Sequence, residues 1–328
     1  MTTIGNVLFD SPVFLAPMSG VTDEPFRSRV KSFGDIFTFT EMIASNEVIN
    51  NSFENIQKLK NFTDSDNAIQ LVGSDPDILK KAAILSEETG TSFVDINMGC
   101  PARKVVNTYC GAALMRDEEL VKRILTSICE SVKAPVTLKM RLGWDEDNLN
   151  ALKIALIAQE CGVQMITIHA RTRQQMFKDK ARWNLVKIIK DNIKIPVIIN
   201  GDITCEDSAA KALLDSNADG IMIGRGAYGQ PWLPSKIKYF LKTGTKINDP
   251  SLKEQEISLL EHYENILSYY GYYKGSLIAR KHIQWSTKKF HNAKEFFKTI
   301  NKEINPANVK EKIKNIFTDQ NEYLMRNT

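Results

Sequence analysis

VTLKMR (136–141), MITIHAR (165–171), VIING (197–201) and GIMIGR (220–225) are short runs rich in β-branched residues, each closing on polar or glycine residues. Four more precede them: VFLAP from Val13, IFTFTE from Ile36, AIQLVG from Ala68 and FVDINMG from Phe93. Most are separated by stretches of helical periodicity, such as Pro76–Thr89, Glu118–Val132, Ala151–Cys161 and Cys205–Ala218. Strands alternating with helices form right-handed βαβ units and a parallel sheet. Eight such units in about 240 residues predict an α/β fold, a (β/α)8 TIM barrel. A doubly wound sheet is the alternative, but no G-x-G-x-x-G follows the first strand.

Chemistry in such a barrel sits at the C-terminal rim of the strands. Unusual residues recur there. Strand one ends in Ala16-Pro17-Met18-Ser19-Gly20, strand two in Glu41, and strand three carries Gln70. Strand four ends in Asn97-Met98-Gly99-Cys100-Pro101, strand five in Lys139 and Arg141, strand six in His169 and Arg171. Strands seven and eight end in Asn200-Gly201-Asp202 and Gly224-Arg225-Gly226.

The 328 residues suit one large domain with a small appendage. A hydrophobic fraction of 43% with 25% charged residues excludes disorder, collagen and coiled coil. No apolar run approaches the roughly 18 residues of a membrane span, and no Lys or Arg precedes Arg27, which argues against a signal peptide. Five cysteines without a CxxC pair fit neither a disulfide framework nor a zinc ribbon. A cytoplasmic protein without a metal centre is expected. The polar stretch Leu241–Pro250 reads as a linker, dividing a barrel (residues 1–242) from a helical tail (residues 251–328). Ile257, Leu260, Tyr263, Leu267 and Tyr270 mark an amphipathic helix there, and Asn305-Pro306 marks the start of another.

The tail holds 13 Lys/Arg against 9 Asp/Glu, whereas the first 250 residues hold 30 of each. Seven cations between Lys274 and Lys298 face one acid, Glu295. Such a run is most often a solvated face, but it is also what a phosphate-contacting surface requires. Arg280, Lys281, Gln284 and Lys288 share one helix face, with Leu277, Ile278 and Ile283 as buried anchors.

The glycine loops after strands seven and eight stand where barrels commonly bind phosphate, and Arg225 adds a cation. Lys139 lies in an otherwise apolar strand, so it is paired or functional: a Schiff-base lysine, or a cation facing an anionic cofactor. His169, beside Lys139, Arg141 and Arg171, extends a cationic wall. Cys100 lies in a Gly/Pro-constrained turn. With an ordinary thiol pKa of roughly 8.5 it stays protonated at neutral pH and can serve as an acid.

Taken together, APMSGVTD (16–23), QLVG (70–73), DINMGCPARKV (95–105), LKMRLGW (138–144), IHARTR (168–173), NGDI (200–203), IGRGAYGQPW (223–232) and ARKHIQW (279–285) resemble the tRNA-dihydrouridine synthase family, most closely its bacterial B-type branch. The resemblance covers nearly the whole chain. It implies a flavoprotein that reduces uridine in the D-loop of tRNA to 5,6-dihydrouridine, with FMN as cofactor and NADPH as electron donor. By the same resemblance Pro17, Met18 and Gln70 line the isoalloxazine ring, and Lys139 and His169 face its polar edge. Asn200, Gly201, Asp202, Gly224 and Arg225 hold its phosphate. Asn97 binds uracil, and Cys100 protonates C5 after hydride passes from flavin N5 to C6. Arg141, Arg171, Arg280, Lys281 and Lys288 are expected to contact the RNA, and the protein is expected to act as a monomer. The alternatives are the same reaction on ribosomal RNA, an FMN barrel reducing a small molecule, and an RNA-binding protein on a silent barrel. The basic tail and the Asn97–Pro101 loop disfavour the small-molecule reading, and the retained Lys139 and Cys100 disfavour the silent barrel.

Overall fold

The structure, a computed structural model, describes residues 1–49 and 67–327. All eight runs form strands: β1 (Val13–Leu15), β2 (Phe37–Phe39), β3 (Asn67–Val72), β4 (Phe93–Met98), β5 (Val136–Arg141), β6 (Met165–His169), β7 (Val197–Asn200) and β8 (Gly220–Ile223). They pair in parallel in the order β2-β1-β8-β7-β6-β5-β4-β3, and the β2–β3 pairing closes the TIM barrel. Three of the intervening helices start at a capping carboxylate. Asp23 accepts from the backbone N–H of Phe26, Asp75 from Asp77 and Ile78, and Asp117 from Leu120.

Side chains alternate across each strand, and the alternation sorts the core. Val94, Ile96, Leu138, Ile166, Ile168 and Ile199 point outward and pack under the surrounding helices. Phe14, Phe37, Phe39, Phe93, Met165, Ile198 and Met222 fill the barrel interior. An antiparallel hairpin (Thr2–Ile4 with Val7–Phe9), which was not predicted, adds Ile4 and Phe9 to this inner cluster. The Phe9 and Phe14 rings meet edge to face at 5.1 Å. The hairpin turn lies against Pro135 and Gln164, where β5 and β6 begin, so it plugs the N-terminal end of the barrel.

The helix Leu233–Thr243 runs three residues into the predicted linker and stops at Gly244, whose φ of 73° is left-handed. Four helices follow: Leu252–Tyr270, Tyr272–Thr287, Ala293–Ile300 and Pro306–Asn327. Asn305 caps the last through the N–H of Ala307 at 2.9 Å. These helices share their own core of Leu259, Tyr263, Ile266, Ile283, Ile313 and Phe317. Two sequence expectations fail here. Ile257 and Leu277 are 44% and 42% exposed. The Leu252–Tyr270 helix is covered on a second side, where Ser258 accepts from Arg29 Nε and His262 Nδ1 donates to the Pro25 carbonyl. That double coverage shifts the buried stripe away from position 257.

The tail meets the barrel beside β1 and β8. Tyr228 stacks on Trp285 at 3.9 Å, and Tyr270 donates to Asp23 at 2.9 Å. Lys281 donates to the Gly20 carbonyl, while the Gly20 N–H donates to Glu41. Among the described residues, no helix is long and apolar enough to cross a membrane.

Candidate active site

Register brings the polar side chains to one level. Asn97 pairs with Lys139 across β4–β5, Arg141 with His169 across β5–β6, and Asn200 with His169 across β6–β7. Gln70 pairs with Asp95, one inward position below Asn97. An alternation that puts phenylalanine at the plugged end therefore puts amides and cations at the open end.

Lys139 is buried, and its Nζ donates to Asn200 Oδ1 at 3.1 Å. The Asn200 amide in turn donates to the Met222 carbonyl at 2.8 Å. Burial, with the repulsion of Arg141 added, pulls the Lys139 ammonium down to about 8. His169 is also buried, among Arg141, Lys139 and Arg171, and burial followed by those cations holds its pKa well below the ordinary range. Arg171 Nη1 lies 3.2 Å from His169 Nε2. A guanidinium can only donate, so Nε2 accepts and the imidazole proton sits on Nδ1. His169 is thus a neutral donor rather than part of a cationic wall.

The Cys100 loop is held from two sides. Asn97 Oδ1 accepts from the N–H groups of Gly99 (3.2 Å) and Cys100 (2.9 Å), and Arg141 Nε donates to the Gly99 carbonyl at 2.7 Å. Burial raises the Cys100 pKa, against smaller lowering effects from the Ala102 N–H, Arg141 and Lys139. Cys110, ten residues further on, interacts through Sγ with the Thr108 carbonyl at 3.3 Å.

Two expected substrate contacts have other partners. Arg141 is 1% exposed, and its Nη1 also donates to the carbonyls of Thr172 and Met176. Arg171 is 2% exposed; it donates to the carbonyls of Lys178 and Asp179 and grips both carboxylate oxygens of Asp202 at 2.6–2.7 Å. Both arginines secure the loop after β6, because buried guanidinium donors need acceptors and backbone carbonyls supply them. Although its partial burial works the other way, the bonds from Arg171 and Ala181 hold the Asp202 carboxyl below its ordinary range. Lys281 is likewise engaged at Gly20, whereas Lys288 is exposed and Arg280 half-buried.

The two glycine loops after β7 and β8 touch each other. A Cβ on Gly226 would stand 2.3 Å from the Ile203 carbonyl oxygen, and one on Gly201 (φ 118°) would stand 3.0 Å from His169 Cδ2. Met18 Sδ lies 3.6 Å from the corresponding point on Gly224, which places the β1 loop beside the β8 loop. Arg225 is half exposed, with its guanidinium 4.8 Å from the Phe177 ring centre. Among the described residues, no acceptor pairs with the backbone N–H of Gly224, Arg225 or Gly226.

Asp95, within the DINMGCPARKV stretch, also belongs to this site. Its signal was present: a lone carboxylate between Val94 and Ile96, on the same strand face as Asn97. Phe177, by contrast, lies in a loop that no periodicity marks.

A barrel packed with aromatic rings at one end and lined with amides, a lysine and a thiol at the other is built as a TIM-barrel enzyme. The chain matches the family model described as Dihydrouridine synthase (Dus) over residues 14–321, and it belongs to that family. It is 47% identical over 320 residues to a probable tRNA-dihydrouridine synthase of Rickettsia conorii, covering 97% of each chain. It is 43% identical over 283 residues to tRNA-dihydrouridine synthase B of Pasteurella multocida, covering 86% of this chain and 85% of that one. The histamine dehydrogenase of Rhizobium sp. 4-9 shares the fold, with a TM-score of 0.57 at 16% identity over 80% of this chain and 50% of that one.

Proposed function

We propose that this chain is a cytoplasmic, monomeric tRNA-dihydrouridine synthase that uses FMN and NADPH. In this reading the barrel with its closing helix, residues 1–243, carries the flavin and residues 251–328 the RNA, joined through residues 244–250. The supporting observation is the convergence of Cys100, Asn97, Lys139, His169 and both glycine loops on one barrel mouth.

The residues present fit the flavin. The unpartnered N–H groups of Gly224, Arg225 and Gly226, with the Arg225 guanidinium, suit its phosphate. Asn200, Gly201 and Asp202 complete that cradle, Asp202 through its backbone because Arg171 takes its carboxylate. Lys139 supplies a cation, and His169 an N–H, to the polar edge of the ring; Pro17, Met18 and Gln70 flank it. When bound and reduced by NADPH, FMN would supply a hydride for uracil C6. Asn97 orients the uracil. Cys100 gives the proton to C5, and its raised pKa keeps that proton in place at neutral pH. Arg141 and Lys139 stabilise the thiolate left behind until solvent reprotonates it. A uridine reaches this depth only when flipped out of its stack.

The test is a purified yellow protein whose reduced flavin is reoxidised by unmodified tRNA with formation of dihydrouridine. Reoxidation by ribosomal RNA or by a small unsaturated carbonyl compound, and not by tRNA, overturns the assignment. Arg225→Ala is expected to purify paler, to bind FMN roughly 10- to 100-fold more weakly, and to recover activity on FMN addition, since a charge-assisted hydrogen bond contributes about 1.5–3 kcal/mol. Full flavin content after dialysis is the contrary result. Lys288→Ala is expected to leave flavin content unchanged while lowering the salt slope of RNA binding by about one, as a lost phosphate contact does. Titration of RNA binding at several salt concentrations checks this.

A further inference from the structure

Below the mouth, one hydrogen-bond chain crosses β3, β4 and β5. Asp95 is fully buried; Thr137 Oγ1 donates to its Oδ1 at 2.6 Å and Gln70 Nε2 to its Oδ2 at 2.6 Å. Gln70 Oε1 then accepts from Asn97 Nδ2 at 2.7 Å, and Asn97 Oδ1 accepts from the N–H of Cys100. Both ends of the chain have fixed polarity. A carboxylate only accepts and a backbone N–H only donates, so the two amides between them have one consistent orientation. Turning Gln70 over sets two NH2 groups against each other. Turning Asn97 over faces its NH2 to the backbone N–H groups of Gly99 and Cys100.

We infer that Asp95 is a positioning residue for the reaction proposed above: through Gln70 and Asn97 its carboxylate sets which amide edge meets the substrate and pins the loop that carries Cys100. The mechanism gives it no other task. Burial raises its pKa to about 7, against the donors Gln70 and Thr137 and the charge of Lys139, the groups that face it. Protonation would let Asp95 donate to Gln70 and reverse the chain, so activity is expected to fall as the pH drops below about 7.

Asp95→Leu and Asp95→Asn together test the relay. In Asp95→Asn the amide oxygen can still accept from Gln70 while its NH2 donates to the Thr137 hydroxyl, so this variant is the conservative control and its Cys100 alkylation rate should lie near the wild-type value. Asp95→Leu removes the acceptor at similar size, leaves Gln70 Nε2 without a partner and frees both downstream amides to turn over. The FMN-loaded Asp95→Leu variant is expected to keep its flavin absorbance but to alkylate at Cys100 faster with iodoacetamide, read by site-resolved mass spectrometry. Its dihydrouridine formation should fall about 10²-fold, the cost of displacing a reacting group by about 1 Å. Wild-type alkylation in Asp95→Leu, or alkylation in Asp95→Asn as fast as in Asp95→Leu, overturns the inference. If Asp95→Leu does not fold, Thr137→Val removes one donor to the carboxylate and should raise the acid limb of the pH–rate profile by roughly one pH unit. An unmoved limb is the overturning result. A wild-type enzyme that formed no dihydrouridine would overturn the functional reading instead, and the alkylation rates would still decide the relay.

Discussion

Cys100→Ala is expected to retain FMN and to be reduced by NADPH at the wild-type rate, yet to lose about 10² to 10⁴ in RNA reduction, the usual contribution of a general acid. The side chain stands on a loop fixed by Asn97 and Arg141, away from the glycine loops, so cofactor retention does not depend on it. Burial holds the thiol protonated, which suits an acid and not a nucleophile. Stopped-flow traces that separate flavin reduction from reoxidation by RNA check the result. Equal loss in both half-reactions would mean that Cys100 supports the fold or the flavin and is not the acid.

Lys139→Met is expected to slow reduction of the bound flavin about 10²- to 10³-fold, the scale on which a preorganised donor facing developing charge acts. The same change removes a buried ammonium, and apolar replacements of buried charges are often neutral or stabilising. Thermal stability should therefore hold or rise while turnover collapses, which a merely structural lysine would not show. The pH dependence follows the same sign. Burial depresses the folded pKa from the ordinary 10.5 to about 8, so the contribution to stability is fully present above the ordinary value and is lost as pH falls through about 8. Wild type should gain stability between about pH 8 and 10.5, relative to the variant. Melting curves across that range decide it.

Much of the fold was legible in the sequence. Val136-Thr-Leu-Lys-Met-Arg141 carries a period-two pattern, and Asp75-Pro76 and Asn305-Pro306 announce helix starts in side-chain chemistry. The hairpin over residues 2–9 escaped because three-residue strands carry almost no periodicity, and its Gly5 turn was the sole mark. Rim residues were legible as a set, since every strand ends in a chemistry-bearing type. Their partners were not. Lys139, Arg141 and Arg171 read alike as cations near a mouth, but only tertiary placement gives Lys139 an amide oxygen and the two arginines backbone carbonyls. The relay from Asp95 crosses three strands, and its order is set by barrel register, which spacing along the chain does not encode.

The phenylalanine plug leaves the barrel a single doorway. On the proposed reading, electron donor and RNA reach the same ring through it and cannot be there together. The cycle then divides into two visits, with the electrons stored in the protein between them. Each visitor must leave before the next arrives, so a tightly held product RNA delays the following reduction as much as scarce reductant does. On that reading, turnover is set by departures from the doorway as well as by the chemistry inside it.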